Sequence, residues 1–242
     1  MRVLRTTSIC LLLGACDEQG DWVVETWGEE YIEQGIPADV FADGCSAVFE
    51  EFVVSMASVE LRDGGGATVG DLGDPITNDV VVPGPTPLGA VTVPADHYSS
   101  VWVVVAPTTG SAVLVDGTLT CAGDSAHFRW TFDEHTQYQC EPEELTIPSG
   151  GTDETQLTIH GDHLFYDGLE NPDAAVRGTE ILAADANGDD EITLEELDAV
   201  SIPALGFEVG QYSDVLTLRQ FVSHLTRTIV HVDGEGECRV DF

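Results

Sequence analysis

Side-chain oxygens fall at every second position of one short stretch, Asp185-Ala186-Asn187-Gly188-Asp189, and a carboxylate returns at Glu196. Counted from Asp185, donors at positions 1, 3 and 5, a backbone carbonyl at position 7 (Glu191) and a carboxylate at position 12 can wrap a single ion in one tight turn. Calcium is a hard cation that takes six to eight oxygens in a flexible shell, and this spacing supplies them. Ile192, at position 8, is expected to turn inward while its neighbours face the ion. Asp190 stands at position 6, where the sharp turn favours glycine. Aspartate tolerates the left-handed conformation better than most residues, so the cost is about 1 kcal/mol.

This pattern resembles an EF-hand loop. The resemblance implies bound calcium held by Asp185, Asn187, Asp189, the Glu191 carbonyl and Glu196. Asn171-Pro172-Asp173 predicts the start of an entering helix, with Pro at its first position. Ile181 and Ala184 supply apolar contacts before the loop, Leu197 and Val200 follow it, and Pro203 is expected to stop the exiting helix. No second stretch of this spacing occurs in the chain, so a paired EF-hand is not expected. The plainer alternative is an acidic, solvated turn between two helices.

A second cluster of ligand types is Thr158-Ile159-His160-Gly161-Asp162-His163. It resembles the metallo-β-lactamase motif H-x-H-x-D-H, except that Thr158 replaces the first histidine. In an extended strand His160 and Asp162 share a face, and a kink at Gly161 would bring His163 to a copper or zinc ion beside them. His231, Asp233 and Glu235 are further donors. The plainer reading is a polar strand end that docks the calcium hairpin. Signatures of catalysis (G-x-S-x-G, H-E-x-x-H, a P-loop, G-x-G-x-x-G) are missing from the sequence, so an enzyme is not expected and a hydrolase ranks third. His224 and Arg227 are expected on the polar side of a helix.

The chain opens Met1-Arg2-Val3-Leu4-Arg5, runs through apolar Ile9 to Leu13 and reaches Leu13-Gly14-Ala15-Cys16. This resembles a bacterial lipobox. The resemblance implies cleavage after Ala15, acylation of Cys16 and export to a membrane-anchored position facing the periplasm or the cell exterior. The apolar run falls short of the roughly 20 residues of a spanning helix. Cys45, Cys121, Cys140 and Cys238 then form an even set in an oxidising compartment, read as two disulfides with three connectivities. The expected pairs are Cys121 with Cys140, which brackets a hairpin-sized segment, and Cys45 with Cys238. Against 44 acidic residues stand 8 basic ones, all arginine, and the net charge is −36. Such a chain has no basic stripe for nucleic acid and no attraction for anionic headgroups.

The positioning elements follow from periodicity. A short helix is expected within Trp27 to Gln34. Val48 to Leu61 fits both a helical stripe and an alternation, and the glycine turn after it favours a strand. Tyr98 to Ala106 reads as a buried strand, and Ala112 to Cys121 as another with a bulge or turn at Asp116-Gly117. Ala126 to Phe132 alternates with Phe128, Trp130 and Phe132 inward, and Thr152 to Asp162 alternates with Leu157 and Ile159 inward. After Phe165 the period lengthens, and Thr217 with Gln220 caps a last amphipathic helix carrying Leu218, Phe221, Val222, Leu225 and Ile229. The expected class is α+β: signal peptide 1–15, tether 16–21, a mainly antiparallel β-sandwich 22–168, and an EF-hand hairpin with C-terminal helix and tail 169–242. Three stretches, Thr26 to Ala38, Ile159 to Gly168 and His231 to Cys238, resemble parts of uncharacterised myxobacterial-type lipoproteins, a resemblance that carries no activity. Together these readings give a lipid-anchored calcium-binding envelope module with an unknown protein partner. A periplasmic copper- or zinc-binding protein is the alternative.

Overall fold

The computed structural model describes residues 18–142, 145–234, 236 and 238–241. The signal segment, Cys16 and Glu235 lie outside the described residues.

The chain is mainly β, with two mixed sheets and a few short helices, most of them C-terminal. In order the strands are β1 (Gln19–Trp27), β2 (Ser46–Arg62), β3 (Thr68–Asp71), β4 (Ile76–Asp79), β5 (Thr86–Pro94), β6 (Ser100–Val105), β7 (Val113–Cys121), β8 (Asp124–Phe132), β9 (Thr136–Cys140), β10 (Thr152–Ile159), β11 (Glu191–Ile192), β12 (Val230–Val232) and β13 (Cys238–Asp241). The helices are α1 (Glu29–Glu33), α2 (Thr179–Leu182), α3 (Leu194–Ala199), α4 (Ile202–Leu205) and α5 (Leu218–Leu225). The four-stranded sheet runs β12-β10-β1-β5. The nine-stranded sheet runs β11-β8-β7-β2-β6-β9-β13, with β3 and β4 also paired to β2. The C-terminal third therefore returns β12 to the smaller sheet and β11 and β13 to the larger one.

The expected alternations form as strands because each buries one face. In β8 Phe128, Trp130 and Phe132 are buried while Arg129 and Thr131 are exposed. The segment that fitted both a helix and a strand is β2, and its 17 residues pair first with β7 and then with β6. The register irregularity expected at Asp116-Gly117 lies instead on β2, between Phe49 and Glu51, and β7 runs through unbroken. Gly117 is needed there for another reason: a Cβ would stand 2.4 Å from the Val48 carbonyl oxygen and 2.8 Å from the Phe128 ring.

The sheets are not purely antiparallel. β1 and β10 pair in parallel from Asp21↔Thr152 to Trp27↔Thr158, because strands so far apart in sequence are free of the hairpin constraint. Trp22 Nε1 donates across this pair to Thr155 Oγ1 at 2.9 Å. Both sheets contribute to one buried cluster that includes Trp22, Phe52, Phe128, Trp130 and Tyr138. Each such side chain contributes at most about 3 kcal/mol from burial.

All four cysteines pair, but not as expected: the bridges are Cys45–Cys121 and Cys140–Cys238. The register explains it. Ser46 opposes Thr120 in β2·β7, so Cys45 and Cys121 face each other at the strand ends, and Cys140 opposes Cys238 directly in β9·β13. Cys121 lies beside the start of β2, where Thr120 opposes Ser46, whereas Cys140 opposes Val101, which opposes Leu61 near the other end of β2, so the two are on the order of 50 Å apart along that strand and beyond disulfide reach. Two disulfides mark an extracytoplasmic protein.

The helix expected from Asn171 does not form. Asn171 Oδ1 accepts from the Asp173 amide at 2.9 Å, closing a local turn, and the segment before the loop becomes helical only in α2. Pro203 does not stop α3, which ends at Val200 in an extended conformation; it sits in the first turn of α4, where its missing N–H is harmless. α5 carries the expected capping box, with Thr217 Oγ1 accepting from the Gln220 amide, and buries Leu218, Phe221, Val222 and Leu225.

Candidate metal centres

The loop from Asp185 is held by its own side chains. Asp185 accepts from the amides of Gly188 at 2.8 Å, Asp189 at 3.2 Å and Asp190 at 3.1 Å, which curls three successive N–H groups around one carboxylate. Asn187 Oδ1 accepts from the Asp189 amide at 2.8 Å, and Asp189 Oδ1 from the Glu191 amide at 3.2 Å. Asp190 adopts φ 63°, the left-handed conformation that position requires, and Gly188 adopts φ 71°. Thr193 caps α3 through a capping box with Glu196, whose Oε2 accepts from the Thr193 amide at 2.9 Å. The other Glu196 oxygen, Oε1, is buried without a hydrogen-bond partner. Asp185, Asp189 and Glu196 each bring a carboxylate oxygen within 4.8 Å of the others. The arrangement leaves these oxygens converging, a cost for three anions alone and a match for one dication.

The loop is docked on the nine-stranded sheet. Glu191 and Ile192 form β11, parallel to His127 and Phe128 at the edge of β8. The His127 amide donates to the Asp190 carbonyl at 2.8 Å, and Trp130 Nε1 donates to the Ile192 carbonyl at 2.8 Å. Ile192 is 1% exposed, as expected for position 8. The Glu191 carboxylate turns away from the loop to His127 Nδ1 at 2.9 Å, while His127 Nε2 meets Asp116 at 2.7 Å. These carboxylates hold the His127 imidazole above its ordinary pKa. Arg129 pairs with Asp116 and Glu51 beside them.

The histidine cluster lies at the other end of the chain's pairing scheme. β10 ends at Ile159, and Gly161 takes a helical conformation (φ −81°, ψ −29°) into a 3-10 turn over Asp162–Phe165, which brings His163 round beside His160. A Cβ at Gly161 would stand 2.7 Å from Ile32 Cγ1 and 2.9 Å from the Phe49 ring. His160, Asp162 and His163 each place a ligand atom within 4.8 Å of the others. His231 arrives opposite Thr158 in β12, with its ring centroid 4.2 Å from that of His160 and 5.1 Å from that of His163. His160 Nε2 lies 3.2 Å from Glu29 Oε1, in an orientation that makes no hydrogen bond. Burial and the neighbouring imidazoles push His163 down to about 3, and burial with His160 pushes His231 down to about 4, so both are neutral at pH 7. Asp233 does not join: its Oδ1 accepts from the Gln156 amide at 3.0 Å, and the side chain is exposed.

Asp185 and Asp189 from the turn and Glu196 from α3 therefore converge, and His160, Asp162 and His163 do meet. The docking described for the loop is on β8. His231 enters through a pairing between strands about seventy residues apart, for which no local signal exists. Glu29 was not singled out from sequence at all. It stands at the start of α1 with φ 20°, and nothing in its neighbours' spacing marks it.

Fold and sites thus define a disulfide-bonded β protein with converging metal-ligand side chains in the loop from Asp185, at the histidine cluster and at Glu50, Asp116 and His127. No protein-family model matches the chain, and no curated protein matches it. Among solved structures it is similar to MbnP from Methylosinus trichosporium, at 9% identity and TM-score 0.37, over 64% of this chain and 85% of that one. A likeness of that size carries no argument about this chain.

Proposed function

We propose that this protein is an extracytoplasmic calcium-binding module, a sandwich of two β-sheets latched by one structural ion and anchored to a membrane through acylated Cys16. The observation that supports the calcium reading is Glu196 Oε1, a buried carboxylate oxygen without a hydrogen-bond partner, on the side chain that brings a carboxylate oxygen within 4.8 Å of those of Asp185 and Asp189. Leaving such an atom unsatisfied costs on the order of 1–3 kcal/mol, which a cation at the loop's centre removes. A latch fits better than a switch. Sensor loops work by opening a pair of helices, whereas α3 is six residues long and β11 is tied to β8. Affinity in the extracellular range, roughly 10⁻⁴ to 10⁻³ M, suffices for a latch. Equilibrium dialysis with calcium tests the reading: one ion per chain is expected, lost in Asp185→Ala. Retention of no calcium at millimolar concentration by the parent chain would refute it.

A further inference from the structure

The histidine cluster answers to a different metal. We propose that His160, Asp162, His163 and His231 form a second site, for a borderline divalent transition ion such as zinc, closed by protein ligands and independent of the calcium loop. Its ligands are three imidazoles and one carboxylate, the donor set of zinc and copper and a poor one for calcium.

Ring spacing agrees with three imidazoles sharing one ion. Imidazoles on one tetrahedral zinc have ring centroids about 5.2 Å apart, given a metal–nitrogen bond of about 2.0–2.1 Å. The pairs His160–His163 and His163–His231 stand at 5.0 and 5.1 Å, and His160–His231 at 4.2 Å needs only a small opening. The pocket is built, not accidental: His160 is 4% exposed and Asp162 8% exposed. His160 Nε2 and His231 Nδ1 are buried nitrogens without hydrogen-bond partners, although polar groups so placed are normally satisfied.

The tautomer of His163 is fixed by its neighbour. Thr228 Oγ1 donates its one proton to the Leu225 carbonyl at 2.9 Å, so toward His163 Nδ1, 3.1 Å away, it can only accept. His163 therefore carries its proton on Nδ1 and keeps the lone pair on Nε2, the form a metal needs. Thr228 is a positioning residue in this scheme. Two carboxylates, Asp162 and Glu29, accompany three imidazoles and together balance the charge of a dication.

The test uses the whole chain, freed of metal by chelator, returned to excess calcium and titrated with cobalt(II), then with zinc as competitor. One equivalent of cobalt with the intense visible bands of a tetrahedral site is expected, displaced by one equivalent of zinc. Zinc should also shift the ¹⁵N resonance of His163 Nε2 in the parent, a readout that needs no variant. His163→Ala should abolish the cobalt bands and lower zinc affinity at least a hundredfold, and Thr228→Val should lower it about tenfold. Asp185→Ala should lose calcium and leave the cobalt spectrum intact, which separates this site from the calcium reading. A parent that takes up no stoichiometric cobalt or zinc, or a His163→Ala chain with the parent's spectrum, overturns the proposal.

Discussion

Glu196 has two duties, and Glu196→Gln divides them. Its Oε2 accepts from the Thr193 amide in the capping box, a role that a glutamine carbonyl oxygen performs equally well. Its Oε1 has no partner and contributes charge to the loop. In chelator, then, the variant keeps its cap and sheds a repulsive charge, so its stability should match the parent's within about 0.5 kcal/mol. In calcium the two should part. Taking a dissociation constant of roughly 10⁻⁴ M, calcium at 10 mM stands at about a hundred times that value and stabilises the parent by about 2.7 kcal/mol. For a domain of this size that is roughly 5–10 °C in melting temperature. Circular dichroism melts of both chains, in 10 mM calcium and in chelator, read it directly. Equal calcium-dependent shifts in parent and variant would show that the orphaned oxygen is not a ligand.

Three further outcomes are expected. The two bridges close loops of 98 and 76 residues that do not overlap, so in the chain-entropy model removing Cys140–Cys238 costs about 4.7 kcal/mol and Cys45–Cys121 about 4.5 kcal/mol, roughly additively; denaturation of the paired serine variants measures both. Trp130→Phe leaves the Ile192 carbonyl without its donor and should cost about 1–3 kcal/mol, with faster amide exchange across residues 190–193. In metal-free protein, acid should destabilise the fold through His163 and His231. Their folded pKa values lie near 3 and 4, below the unfolded value of about 6.5, so the unfolded chain takes up protons first and stability falls as pH drops from about 6.5 through 4 to 3. Unfolding free energies from urea denaturation at pH 7 and pH 5 should differ by roughly 2–4 kcal/mol, a difference that His163→Gln with His231→Gln should largely remove.

What could be read from the sequence was local. The loop spacing, the capping box at Thr217, and the alternation of Phe128, Trp130 and Phe132 are all set by neighbours a few residues apart, and each appears where expected. The misses share the opposite property. Disulfide partners were set by the order of strands, and the parallel pairing of β1 with β10 joins residues about 130 positions apart. Glu29 reached the histidine cluster by the same kind of long-range packing, and His231, a donor the sequence offered, arrived through a pairing that no local signal marks. Asn171-Pro172-Asp173 failed for a subtler reason: the same residue types that cap helices also close turns, and tertiary packing chose the turn.

The short pairing of β11 with β8 also guards the sheet. β8 is the outermost long strand on its side, and an open strand edge is a template on which another copy of the chain can align. Glu191 and Ile192 occupy the middle of that edge, and the acidic loop beyond them turns a charged surface outward. A chain whose loop slackens for want of its ion would bare a strand rich in aromatic residues to its neighbours. For a protein outside the cytoplasm, where calcium supply varies with the surroundings, the proposed ion would then govern solubility as much as melting temperature. Scarcity would show first as self-association, at temperatures where both sheets are still folded.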